Sequence, residues 1–192
     1  MTGTERPLRA DAARNRARVL QVAYEVFAEQ GLAVPIDEIA RRAGVGAGTV
    51  YRHFPTKEAL FEAVFDERVR QIVEHGRTLL AADPATALFQ FLREMIRTGA
   101  ADHGMLDALA GYGIDIDSAT RDAEADFLDV LDSLLAAGRH AGTVRADVGV
   151  AEVKALLLIG KSGQACEGAI TARLADVIVD GLRPRLDERV QR

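Results

Sequence analysis

The amino-acid sequence predicts an all-α fold, and three observations support that prediction. Apolar residues recur every three or four positions along most of the chain, which is the period of an amphipathic helix. No stretch of useful length alternates β-branched and polar residues, as a half-buried strand would. Hydrophobic residues make up 48% of the 192 positions, which is enough to bury a core. We therefore expect a helical protein of one or two domains.

Glycine and proline mark where the predicted helices begin and end. Gly31 and Gly44 each follow a periodic segment, as helix-ending glycines do, and Pro35 suits a first helical turn. Thr56 is a candidate N-cap for a longer helix. The predicted helices cover residues 12–30, 36–43, 47–51, a longer segment from 57, a segment opened by Asp83 and Pro84, and residues 103–110, 118–141, 150–167 and 170–182.

The charges divide the chain into two parts of opposite sign. The net charge is −5, but residues 1–57 carry nine basic and six acidic side chains, whereas residues 58–192 carry fifteen and twenty-three. This asymmetry favours a basic N-terminal part that binds the phosphates of a nucleic acid and an acidic C-terminal part that does not. Residues 1–11 lack periodicity and are expected to form a mobile basic arm.

The composition argues against several classes of protein. No segment approaches the ~20 apolar residues that a membrane span needs, and no apolar run follows the N-terminal arginines as in a secretory signal. Cys166 is the single cysteine, so an intramolecular disulfide is excluded, and in its apolar helix it is expected to pack as a small residue. We expect a cytoplasmic protein with no membrane partner.

Residues 36–54 have the pattern of a helix-turn-helix, in which two short helices are separated by a glycine-containing turn. Ala40 is small enough to let the second helix cross closely, and Gly44 suits the turn. Val45 is expected to fill the angle between the helices, and Val50 to anchor the second helix from beneath. A helical hairpin that merely packs is the alternative interpretation.

The outward side of that second helix carries the residue types that read DNA. In the major groove, Thr49 would offer its methyl group to thymine or its hydroxyl to a phosphate. Tyr51 and His53 suit phosphate oxygens, and Lys57 adds charge at the start of the next helix. The predicted DNA contacts are Ala47, Gly48, Thr49, Tyr51, Arg52, His53 and Lys57.

The stretch from Phe27 to Leu60 resembles the DNA-binding domain of the tetracycline-repressor (TetR) family. The resemblance depends on Ile39-Ala40, Ala43-Gly44-Val45, Gly48-Thr49-Val50-Tyr51, His53-Phe54 and Lys57-Glu58-Ala59-Leu60. It implies an N-terminal three-helix helix-turn-helix DNA-binding domain over residues 12–57 and a C-terminal helical ligand-binding and dimerisation domain over 58–192. Two positions depart from the family pattern. Pro35 and Gly46 stand where members often have Thr or Ser, so the resemblance does not extend to the two phosphate contacts that those hydroxyl groups make.

Two sets of residues in the C-terminal part follow from this resemblance. Aromatic, Met and Leu side chains are either ordinary core or the lining of an apolar ligand site. That set is Phe65, Phe91, Met95, His103, Met105, Leu106, Leu109, Tyr112 and Phe127. Large and small apolar residues near the C-terminus, with Ile170, form either a four-helix homodimer interface or an internal helix pair. That set is Leu156, Ile159, Gly160, Gly163, Leu174, Val177 and Ile178.

Enzyme chemistry has no sequence support. The four histidines are scattered and form no zinc motif, the glycines near residue 46 match no phosphate-binding fingerprint, and no nucleophile motif is present. We expect no catalytic residue, no metal and no cofactor. The function expected is a ligand-responsive transcriptional repressor, a homodimer released from a palindromic double-stranded operator by a small apolar effector. An architectural DNA-binding protein without a ligand and a small helical hydrolase are the rival interpretations.

Overall fold

The computed structural model describes residues 5–98, 121–162 and 168–184, and within these ranges the chain forms helices joined by turns, with no strand. The helices are α1 (Glu5–Gln30), α2 (Ile36–Ala43), α3 (Ala47–His53), α4 (Lys57–Ala82), α5 (residues 87–98), α6 (Arg121–His140), α7 (Val150–Ser162) and α8 (Gly168–Gly181). The all-α prediction is confirmed. None of the described helices is long and apolar enough to cross a membrane. The helix predicted over 103–110 and Cys166 lie outside the described residues.

Helix α1 begins at Glu5, well before the predicted start at residue 12. Within the segment 1–11, for which the sequence predicted no helix, residues 5–11 are helical. Pro7 falls in the first turn, where its missing N–H group interrupts no helical hydrogen bond. The segment is not basic either, because its two arginines are balanced by two carboxylates.

The chain divides into two compact units, and α4 contributes to both of them. The first unit extends to Arg68, and the second contains residues 69–98 and the described residues from Asp122 onward. The first unit thus continues past residue 57, where the sequence placed the domain boundary. It does so because Leu60 and Phe61, in the first turns of α4, are buried in its core.

The core of the first unit joins α1, α2, α3 and the start of α4. Phe27 of α1 and Phe61 of α4 are buried, with ring centroids 5.7 Å apart and planes tilted by 40°. Ile39 of α2 and Val50 of α3 are fully buried in the same cluster. Each fully buried side chain of this size contributes about 1.5–3 kcal/mol of hydrophobic stabilisation, so that these contacts hold the short helices in place.

The core of the second unit gathers one apolar face from each of its helices. Phe91 of α5, Leu131 of α6, Val153 of α7 and Val179 of α8 are all fully buried in one cluster. On its surface Arg93 Nε donates to Asp176 Oδ1 at 2.9 Å, which ties α5 to α8, and Lys154 pairs with Glu124 between α7 and α6. Because these ion pairs are exposed, packing rather than charge provides most of the stability.

Helix α6 ends in a tight loop that depends on close packing at a glycine. The N–H groups of Thr143 and Val144 donate to the Gly138 carbonyl oxygen at 3.0 and 3.2 Å. Val144 is buried, and a Cβ atom at residue 138 would lie 2.5 Å from its Cγ2 atom. The branched valine side chain has few rotamers into which it could move. A side chain at residue 138 would therefore force Val144 or the loop to shift.

We expect Gly138→Ala to destabilise the protein by about 1–3 kcal/mol through overpacking, although alanine is the better helix former by about 1 kcal/mol. Urea unfolding followed by circular dichroism measures the change. Val144→Ala removes the opposing methyl groups, so the glycine replacement should cost much less in that background. An equal cost in both backgrounds would show that the two residues do not oppose each other.

Candidate nucleic-acid interface

A tight turn after α2 sets the direction of α3. Gly44 has φ 67° and ψ 32°, in the left-handed region, and its N–H donates to the Arg41 carbonyl oxygen at 3.2 Å. The Val45 N–H donates to the Ala40 carbonyl oxygen at 3.0 Å. These two bonds form a Schellman motif, in which glycine is favoured because it has no Cβ. Ala40 and Val45 both pack in the first core, and the predicted helix-turn-helix is confirmed.

The N-termini of α2 and α3 have no side-chain cap. Pro35 and Gly46 occupy the two N-cap positions in extended backbone, with ψ 144° in each, and neither makes a capping hydrogen bond through a side chain. Both helices therefore begin without the capping hydroxyl that a Thr or Ser would supply. The first turn of α3 also contains no acidic residue. The positive end of its dipole is therefore not neutralised from within the turn.

The face of α3 opposite Val50 is open to solvent. Tyr51 is 48% exposed, and Gly48, Arg52 and His53 are exposed as well. The remaining two predicted contacts on this helix, Ala47 and Thr49, are half-buried. The structure therefore brings all six residues together on one seven-residue helix, with none of them buried.

The start of α4 continues this surface. The Thr56 Oγ1 atom accepts a hydrogen bond from the Ala59 N–H at 3.1 Å, which confirms Thr56 as the N-cap. Lys57 is the first residue of the helix and is half-buried. Burial lowers the pKa of the Lys57 amine, and the nearby Glu58 carboxylate opposes that shift. A helix start that carries a lysine is a ready site for an anion such as a phosphate.

Two arginines of α2 are engaged by carboxylates rather than left free. The Glu38 carboxylate accepts hydrogen bonds from Arg41 Nε and Nη2 at 2.9 and 2.8 Å and from Arg42 Nε at 2.9 Å. These bonds hold the pKa of Glu38 at about 2. Arg42 also pairs with Glu29 of α1 at 3.2 Å. This network ties α1 to α2 and lowers the positive charge that the last turn of α2 presents.

Arg16 lies against the end of α3, a position that the sequence did not predict for it. Its guanidinium carbon is 5.5 Å from the centroid of the Phe54 ring, and the His53 ring centroid is 6.1 Å from the same ring. One sequence signal points to this position. Arg16 precedes the buried residues Val19 and Leu20 by three and four positions, so it lies on the same side of α1 as they do.

The predicted ligand residues divide between the two cores. Phe91 and Met95 are buried in the second core, and the half-buried Phe127 packs against it with its ring centroid 6.3 Å from that of Phe91. Phe65 packs against the first core instead. Within the described ranges, no three His, Cys, Asp or Glu side chains are placed to hold a metal ion. The other predicted ligand residues, His103, Met105, Leu106, Leu109 and Tyr112, lie outside the described residues.

The predicted interface residues of α8 lie at different depths. Val177 is 68% exposed, whereas its neighbour Ile178 is buried and Leu174 packs partly against the second core. Ile170, seven residues before Val177, is 49% exposed. Leu156 of α7 also packs partly against the core. Ile159 and Gly160 belong to α7, and Gly163 lies outside the described residues.

Comparison with known proteins places both parts of the chain in one family. Residues 19–64 match the sequence family described as bacterial regulatory proteins, tetR family. Residues 83–184 match the family described as transcriptional regulator SbtR-like, C-terminal domain. Curated HTH-type transcriptional regulators of Staphylococcus aureus are 35% identical over 73 residues. That match spans 38% of this chain and only 40% of those regulators.

Solved structures extend the similarity to nearly the full length. A TetR transcription regulatory protein from Mycobacterium vanbaalenii is 62% identical, with a TM-score of 0.81 over 93% of this chain and 100% of that one. A TetR transcriptional regulator from Streptomyces coelicolor is 37% identical, with a TM-score of 0.76 over 88% of this chain and 98% of that one. Both the N-terminal and the C-terminal matches agree with the helix-turn-helix and with the helical second unit. The chain belongs to the TetR family of transcriptional regulators.

Proposed function

We propose that this chain is a ligand-responsive DNA-binding regulator that represses transcription from a palindromic operator and is released by a small apolar molecule. The observation that carries the proposal is the two-sided character of α3. Val50 is fully buried on one side, and Tyr51, Arg52 and His53 are exposed on the other. The exposed side chains on this face do not pack in the core of the first unit. They are therefore available to bind a partner.

The dimensions of α3 suit the DNA major groove. Seven residues make a helix about 10 Å long, and the groove is about 12 Å wide. Ala47 and Gly48 carry little or no side chain in the first turn, so the backbone is able to approach the base edges closely. Thr49 is half-buried beside them, and in the groove it would contact a thymine methyl group. These three residues are the candidates for reading sequence.

The end of α3 and the start of α4 suit the DNA backbone. Tyr51 and His53 carry hydrogen-bonding groups on exposed side chains, and Lys57 stands at the first turn of α4. Contacts of this kind fix the register of a protein on the duplex without distinguishing bases. We therefore assign Tyr51, His53 and Lys57 to phosphates.

The DNA-binding proposal predicts two different kinds of mutational effect. Tyr51→Phe and Lys57→Ala should weaken binding to every sequence by a similar factor, and Lys57→Ala should also reduce the salt dependence because one cation is lost. Thr49→Ala should change the preference among operator variants by about 1–3 kcal/mol at one base pair. Fluorescence anisotropy with a selected operator library measures both. Folded variants that all bind like the wild type would refute this placement of α3.

Pairing of two chains is the second part of the proposal. TetR-family proteins act as dimers, and a two-fold pair would present two copies of α3 about 34 Å apart to successive major grooves. Ile170 and Val177 support the assignment of α8 to the interface, because they lie two helical turns apart on one face and are both exposed. Apolar side chains in such a stripe gain stability when a second copy covers them.

We expect Val177→Asp to convert the dimer to a monomer while the chain stays folded, because the side chain is 68% exposed. The added carboxylates would face each other across the two-fold axis without a partner. Analytical ultracentrifugation measures the assembly, and circular dichroism checks the fold. Ala172→Asp is the matched control, since Ala172 is exposed elsewhere around the same helix. A Val177→Asp protein that remains dimeric would remove this face from the interface.

Ligand response is the third part of the proposal. Phe91, Met95 and Phe127 come together in the second unit, and Phe127 is only half-buried there. Helix α4 has its first twelve residues in the unit that contains α3 and the rest in the second unit. A ligand that shifts α4 would therefore change the DNA-binding unit, and a coupling of about 1–3 kcal/mol would release an operator severalfold or more.

We expect some members of a library of lipophilic compounds to raise the melting temperature and weaken operator binding together. Phe127→Leu should reduce both effects, because it changes a half-buried ring beside Phe91. Phe65→Leu is the matched control, since that half-buried ring packs against the first core. Thermal melts and anisotropy measure the two responses. A protein that binds DNA but responds to no compound would favour the architectural alternative.

A further inference from the structure

Arg16 differs from the other arginines around it in what its side chain contacts. Its guanidinium group lies over the Phe54 ring at 5.5 Å, and its side chain is otherwise exposed. Phe54 is 3% exposed and ends α3. The ring therefore holds a cation of α1 in a defined place, although the two residues are far apart in the sequence. The same ring lies beside His53, a residue of the surface already assigned to DNA.

Three carboxylates of the first unit, those of Asp11, Glu29 and Glu38, are paired with other arginines. Arg14 pairs with Asp11, Arg41 with Glu38, and Arg42 with both Glu38 and Glu29. Within the described residues, no carboxylate pairs with Arg16. Its charge is thus left for an external anion, and among the α1 arginines whose side chains the structure describes, Arg16 alone packs over a ring at the end of α3.

We infer that Arg16 contacts a DNA backbone phosphate at the edge of the groove that α3 enters, and that Phe54 positions it for this contact. The inference rests on the proposed DNA-binding function. Guanidinium chemistry suits both roles at once, because the planar group stacks on a ring through its face and donates N–H bonds through its edge. Helix α1 then takes part in DNA binding directly, in addition to supporting the helix-turn-helix.

The experiment compares two arginines of the same helix. Arg16→Met removes the charge but keeps a long, unbranched side chain that is able to pack on the Phe54 ring. Arg14→Met is the matched control, because it removes an equal charge two residues away, from an arginine paired with Asp11. Arg16→Lys keeps the charge at the same position. Each full-length protein is titrated with a mixed-sequence DNA duplex over a range of salt concentrations, and thermal melts confirm that each is folded.

We expect Arg16→Met to reduce the slope of log affinity against log salt by about 0.9, the value for one phosphate contact. Its affinity should be about eightfold lower than that of the wild type at 0.1 M salt, and the difference should vanish as the salt approaches 1 M. Arg14→Met and Arg16→Lys should keep the wild-type slope. A purely structural role for Arg16 would lower the melting temperature of Arg16→Met without changing the slope.

Two results would overturn the inference while leaving the proposed function intact. The first is a wild-type slope in Arg16→Met, and the second is an equal loss in Arg14→Met, which would indicate a general effect of net charge. A wild-type protein whose binding to the duplex is absent or insensitive to salt would instead overturn the proposed function, and this inference with it.

Discussion

The burial of Val50 is the interaction on which the DNA-facing surface depends. Helix α3 has only seven residues, and a helix of that length is not stable alone in water. Its stability must come from packing, and Val50 supplies this by lying fully buried in the same core as Ile39 of α2 and Phe61 of α4. The Schellman turn at Gly44 sets the angle at which α3 enters that core. Because the inner side is locked, the groups on the outer side keep a fixed direction.

Electrostatics in the first unit follow from how carboxylates are distributed among the arginines. Glu38 pairs with Arg41 and Arg42 within α2, and Arg42 also pairs with Glu29 of α1. The two arginines at the end of α2 are therefore neutralised by carboxylates of the protein itself. A pKa of about 2 for Glu38 means that this pairing persists throughout the neutral range. The cations at the end of α3 and the start of α4 lack such ion pairs within the described residues. Positive charge is thereby concentrated where the helix-turn-helix is open to solvent.

The second unit shows how one helix serves two purposes. Along α8, Ile178 and Val179 are buried in the core, while Val177 beside them is 68% exposed. Successive helical residues point about 100° apart, so an apolar run is wide enough to cover a core and still leave a stripe on the surface. The core that α8 covers also contains the ring of Phe91 from α5, which is fully buried, and the ring of Phe127 from α6 packs partly buried against it. The helical period alone therefore places the core residues and the exposed apolar residues of α8 on different sides of the same helix.

The sequence by itself determined the all-α fold, the helix-turn-helix and its outward residues, because these depend on local spacing. Ala40, Gly44, Val45 and Val50 lie within a few turns of one another, so the spacing that predicts how the two helices cross is visible in a short stretch of sequence. Only the tertiary structure decided which arginine meets Phe54, and that Phe65 belongs to a different core from Phe91 and Phe127. Hydrophobic patterning marks a residue as buried but does not say against which distant partner it packs. The partner of each buried residue is decided only when the helices pack together, because the hydrophobic effect is non-directional and favours burial against any apolar neighbour.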